Sequence, residues 1–176
     1  LPPAPPPAPA PQSGLLADAG NFLRRTGVFI IFTLLEYVRS GRVVAELIAA
    51  IAFFAIFLRD PGSTGLDARK FFTMVGLFTL GLSLYTTSAM ISLGDRPQGY
   101  VLLAHRLSRG SYLVGLYLSG VLVVTLVFVL LSGATALVNP VGGLDPVGWL
   151  LGALPLLLNA GLVGALVLMM SPLVFA

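Results

Sequence analysis

Residues 71–93 read FFTMVGLFTLGLSLYTTSAMISL, with no charged side chain in the run. A helix rises about 1.5 Å per residue, so this stretch is long enough to cross the roughly 30 Å hydrocarbon layer of a bilayer. Lys70 stands before it, and Asp95 and Arg96 stand after it. Composition points the same way. Of the 176 residues 57% are hydrophobic and 10% charged, with a mean hydropathy of +0.97; soluble domains carry about 25% charged residues. In lipid every backbone donor and acceptor must be satisfied within the segment, and an apolar run of this length does so as a helix. The expected fold class is an all-α integral membrane protein.

Three further apolar runs flank this one. Residues 43–58, VVAELIAAIAFFAIFL, form a slightly short span closed by Arg59-Asp60-Pro61-Gly62. Residues 112–138 and 147–170 form two more, separated by the turn-rich Asn139-Pro140-Val141-Gly142-Gly143 and Asp145-Pro146. Upstream, residues 15–42 hold only an eight-residue apolar stretch, Val28 to Leu35, between Arg24-Arg25 and Glu36, Arg39 and Arg42. That is too short to span, and it reads as an amphipathic elbow helix lying in the membrane interface. The competing reading is one helix from Phe22 to Leu58. It would hold Arg39 and Arg42 at mid-depth, at about 2.5–3.5 kcal/mol each on insertion scales, whereas Gly41 offers a bend. Residues 1–14, LPPAPPPAPAPQSG, carry seven of the thirteen prolines and read as an extended tail. The spanning domain thus covers residues 43–176. Leu at position 1 leads us to expect a processed chain or a piece of a longer one.

Between the second and third runs lies GDRPQGYVLLAHRLSRGSY, residues 94–112, with three arginines and the single histidine. Asp95 and Pro97 suit a helix start, and Gly110 suits a left-handed end. Tyr100, Leu103, Ala104 and Leu107 recur at helical spacing, so residues 97–109 read as a short amphipathic helix. Gln98, His105, Arg106 and Arg109 lie largely off its apolar face and are the candidate partner-binding residues.

With the amino terminus inside, the inner segments hold seven basic residues: Arg24, Arg25, Arg39, Arg42, Arg96, Arg106 and Arg109. The outer loops hold three: Arg59, Arg69 and Lys70. The positive-inside rule therefore predicts cytoplasmic termini and a cytoplasmic 97–109 segment.

Few groups offer chemistry. There is no cysteine, one histidine and seven acids, which excludes thiol catalysis and thiolate metal sites. No nucleotide-binding glycine loop, paired carboxylates or metal-ligand spacing is present, so neither enzyme activity nor a cofactor is expected. The basic residues edge apolar runs, which argues against nucleic acid as a partner. Glu46 lies one turn inside the first span, four residues after Arg42, and the two are expected to form an intramembrane ion pair. Asn159, near Pro155, is expected to bond across helices or to freed carbonyls. Gly161 with Ala165, and Ala160 with Gly164, give small-residue spacing for close helix packing. Trp149 and Tyr112 suit interfacial anchoring.

The order of these elements resembles the amino-terminal part of an ABC-2 type transporter permease. The likeness covers residues 15–168 as an order of elements, and its motif-like part is GDRPQGYVLLAHRLSRGSYLVGLYLSG. In that family an elbow helix precedes the first span, and a coupling helix between the second and third spans docks on a separate ATPase subunit. The charged start at Asp95, the leucine run, the Ser108-Arg109 pair and aromatic Tyr112 carry the likeness; Arg106-Leu107 stands where the family often has a proline. The resemblance implies a plasma-membrane permease subunit, in a homo- or heterodimer, whose ATPase partner meets Gln98, His105, Arg106 and Arg109. The family has six spans and this chain four, so a partial chain or a shortened relative is expected. The rival expectation is a non-catalytic accessory subunit of a larger respiratory or photosynthetic complex, held by other membrane subunits and lipid.

Overall fold

The computed structural model describes residues 14–59, 66–94, 109–142 and 144–171. They form helices α1 (Gly14–Arg39), α2 (Arg42–Phe53), α3 (Ala68–Gly94), α4 (Arg109–Val138) and α5 (Pro146–Met169). A single π-helical turn, Phe54–Leu58, extends α2. Among the described residues there is no strand; one isolated bridge joins Asp67 to Gly142. Three helices are long and apolar enough to cross a membrane, or four if the bent pair α1–α2 counts as one span. The protein is an all-helical membrane-spanning chain.

The helices run past the apolar stretches that define them. Backbone hydrogen bonding continues into the polar flanks, so α3 begins at Ala68 and α4 at Arg109. Asp145 caps α5, its Oδ1 accepting from Gly148 N at 2.7 Å, with Pro146 in the first turn. The chain turns by 72° between α1 and α2. Gly41 sits there in the left-handed region at φ 76°, a conformation that disfavours other residues. The residues from Phe22 to Leu58 are therefore not one continuous helix. Helix α1 runs 26 residues, well beyond its eight-residue apolar stretch, and packs Thr26, Phe29, Thr33 and Tyr37 inward. Those four fall at i, i+3, i+7 and i+11, one stripe of a helix.

Helices α3 and α5 run parallel, with α4 antiparallel between their ends. The register shows in paired contacts. Phe71 meets Trp149 edge to face at 5.0 Å, Ser83 donates to Ala160 O at 2.6 Å, and Gly164 lies against Thr87. A Cβ at Gly152 would run into the Phe72 ring, so this glycine lets the two helices close. Several side-chain hydroxyls are satisfied within their own helices. Thr33, Thr79, Ser119 and Thr135 each donate to the carbonyl four residues back. At the far end, Arg59 N donates to Phe54 O, and Asn139 Nδ2 donates to Leu58 O at 3.2 Å. These bonds close the π-helical turn. Trp149, read as an interfacial anchor, is half-buried against Phe71 and Phe72.

Candidate functional site

The most polar buried cluster lies inside the α1–α2 bend. Tyr37, in the last turns of α1, is fully buried, and Glu46, one turn into α2, is 1% exposed. The Tyr37 hydroxyl donates to Glu46 Oε1 at 2.5 Å, and Thr86 of α3 donates to the same oxygen. Glu46 Oε2 has no hydrogen-bond partner among the described residues. One carboxylate thus joins three helices, and it does so because the bend at Gly41 brings the end of α1 back over α2.

Arg42 is not Glu46's partner, in contrast to the expected ion pair. Its guanidinium reaches across to α3, donating to Ala89 O and, at 2.6 Å, to Ser92 Oγ. The reason is positional. Arg42 stands at the first turn of α2, level with the last turns of α3, where the negative end of that helix and the Ser92 hydroxyl favour a cation. Glu46 lies a turn deeper, between the hydroxyls of Tyr37 and Thr86. Sequence spacing placed both residues on one face of α2, but each finds a better partner on a neighbouring helix.

The second polar seam runs where α3, α4 and α5 meet. The Tyr117 hydroxyl donates to Gly161 O at 3.2 Å, and Ser83 donates to Ala160 O. A Cβ at Gly161 would stand 3.1 Å from the Tyr117 oxygen; at Gly164 it would stand 3.1 Å from Thr87 Oγ1. Both glycines therefore face the other helices. Asn159 does not, and among the described residues it makes neither the cross-helix bond nor the bond to freed carbonyls expected of it. It is exposed, near the middle of α5, because it falls on the opposite side of that helix from Ala160 and Gly164.

Of the partner-binding candidates, Gln98, His105 and Arg106 lie outside the described residues, as do residues 97–108 of the expected 97–109 helix and the 1–13 part of the tail. Arg109 is the first residue of α4. Among the described residues no group of three or more His, Asp or Glu is gathered as metal ligands.

Tyr37, Thr86 and Ser92 were not singled out from the sequence. A signal for Thr86 existed: Thr79, Ser83, Thr86 and Thr87 line one side of α3 at spacings of four, seven and eight residues, all buried. Tyr37 carried no such mark, since its role depends on the bend.

The arrangement defines a class, an all-helical membrane-spanning protein with a polar cluster at a bent helix pair. Compared with known proteins, the chain matches no family profile, no curated protein and no solved structure.

Proposed function

We propose that the chain is the membrane-spanning permease subunit of an ABC-type transporter, energised by a separate ATPase. The observation that carries this reading is the 72° bend between α1 and α2. In this reading α1 is the elbow, α2 with its π-helical turn is the first span, and α3, α4 and α5 are the next three. The bend, the Arg42 contacts to Ala89 and Ser92, and the Phe29–Tyr112 ring contact at 5.1 Å all lie at the end where α3 stops and α4 starts. The segment joining α3 to α4 is the coupling element of this proposal. Movement received there would pass to α3 and α4, and through Tyr37, Glu46 and Thr86 to the α1–α2 bend. The basic-residue asymmetry supports this end as the cytoplasmic one, and the permease reading itself implies the plasma membrane.

Two measurements test the proposal. A reporter fused after Pro61 is expected to behave as exported, and one after Gly99 as cytoplasmic. Arg106→Glu is expected to lose the ATPase on co-purification while the chain still inserts and folds. Reversed reporters, or an Arg106→Glu chain that keeps its partners and its activity, overturn it.

One observation favours a second reading, an accessory subunit of a larger membrane assembly. Only 17% of the apolar stretch of α5 is buried within the chain, against 56% for α3, and Asn159 lies on that open side. Co-purification with pigment- or haem-bearing subunits rather than an ATPase would establish this reading.

A further inference from the structure

Beside the Tyr37–Glu46–Thr86 cluster, a groove of about 350 Å³ opens between α2 and α3. Its size falls at the lower end of the about 300–1,000 Å³ found for small-molecule sites. Glu46 and Ala49 line it from α2; Phe78, Gly81, Leu82 and Tyr85 line it from α3. Gly81 forms an open floor, since a Cβ there would meet nothing within 4 Å. The walls are otherwise apolar, and among the described residues no basic one lines them.

Glu46 is the anomaly in this lining. It is 1% exposed, its Oε1 accepts two hydroxyl donors, and its Oε2 has none among the described residues. A carboxyl group offers about four lone-pair sites when ionised, and a buried polar atom without a partner costs free energy. Arg42, the nearest basic residue in sequence, is spent on Ala89 and Ser92. Among the described residues the carboxyl group thus has no counter-charge. A buried charge is stabilised only when paired.

We propose that this groove is a binding site for a small amphiphilic amine, with the protonated ammonium on Glu46 and the apolar body along Phe78, Leu82 and Gly81. Tyr85 presents an aromatic ring to the same groove, which favours a cation over a neutral head. The occupant is a free amine rather than an aminophospholipid. A phospholipid would bring its phosphate beside the ammonium, and no described lining residue could pair with it. The inference does not rest on the permease reading; it holds for either class of protein.

The test uses the chain in phosphatidylcholine vesicles with an octylamine that carries a photoreactive diazirine on its tail. Crosslinks to α2 and α3 peptides are counted by mass spectrometry. Labelling is expected to be saturable, competed by unlabelled octylamine, and weaker for the matched octanol probe. Glu46→Gln is expected to reduce it about tenfold or more, as loss of one partner from a buried charge pair does. Gly81→Leu fills the floor without touching the carboxylate and is expected to reduce it comparably, so the proposal stays open to refutation should Glu46→Gln fail to fold. Replacing phosphatidylcholine with phosphatidylethanolamine is expected to leave labelling unchanged. Equal labelling by amine and alcohol, or undiminished labelling in Gly81→Leu, would show an unspecific lipid-facing groove. Competition by phosphatidylethanolamine would assign the groove to a lipid headgroup, and the free-amine proposal would fall.

Discussion

Tyr37 and Glu46 lie nine residues apart on either side of a 72° bend and share a 2.5 Å hydrogen bond. The bond spans the break between α1 and α2, and Thr86 ties the same oxygen to α3. Three helices thus meet at one carboxylate. Removing the Tyr37 hydroxyl leaves a buried acceptor short of a donor, which costs about 1–3 kcal/mol. Polar contacts inside membrane proteins run smaller, about 0.6 kcal/mol on average. Tyr37→Phe is therefore expected to lower stability by about 1 kcal/mol. Glu46→Gln keeps an acceptor but weakens the bond. In a reversible unfolding series, the double variant is expected to fall short of the sum of the single changes. Strict additivity would mean that the bond does not hold the bend.

Arg42 has a different partner, and that yields a separate cycle. Ser92→Ala removes one of the two acceptors of its guanidinium, the other being Ala89 O. Coupling energies between contacting residues run about 0.5–3 kcal/mol. The Arg42→Gln and Ser92→Ala pair is expected to couple by at least about 0.5 kcal/mol, and more strongly than Arg42→Gln with Glu46→Gln. A larger Arg42–Glu46 coupling would restore the ion pair that sequence spacing alone suggests.

These two cycles also mark what the sequence made legible. Hydropathy located the three helices that are long and apolar enough to span, because a membrane helix needs an uninterrupted apolar run whatever it packs against. The break at Gly41 was legible too, from one glycine between two arginines. Partner choice was not. Arg42 and Glu46 sit one turn apart, and helical spacing makes them neighbours on α2. Which group each prefers depends on how far α3 extends and where Thr86 and Ala89 fall along it. Asn159 was misread for a similar reason: spacing gives its position on α5 but not which side of α5 turns inward. That side is fixed by Gly152, Ala160, Gly161 and Gly164, which let α3 and α4 approach.

Gly152 gives the sharpest packing test. Its missing side chain leaves room for the Phe72 ring, which stands against Trp149 at 5.9 Å. Overpacking of a tight contact costs about 1–3 kcal/mol. Gly152→Ala is expected to lose stability in that range. Gly133, in α4, has nothing within 4 Å of a Cβ. Gly133→Ala is expected to be neutral or to gain up to about 1 kcal/mol, because alanine favours the helix. The pair is compared in the same detergent. Equal effects would mean that α3 and α5 do not approach as closely as Phe72 and Gly152 imply.

Asn159 poses the last question, because its amide lies near the middle of α5 on the open side of that helix. An amide facing hydrocarbon without a partner is costly, and polar residues inside a membrane act as contacts between helices. Its own chain supplies no hydrogen bond among the described residues, although Ala160 O, one residue on, bonds to Ser83. The expectation is a second helix, from another copy or another subunit, that exchanges hydrogen bonds with Asn159. Asn159→Leu should then leave folding of the single chain unchanged or slightly improved. Association should weaken by about 1–2 kcal/mol, the scale found for such contacts in model helices. Energy transfer between labelled copies in vesicles reads self-association, and recovery of co-purified subunits reads the rest. Loss of the first assigns the face to a dimer, and loss of the second assigns it to a larger assembly. If Asn159→Leu changes neither, the amide faces lipid, and the accessory-subunit reading loses the observation that favours it.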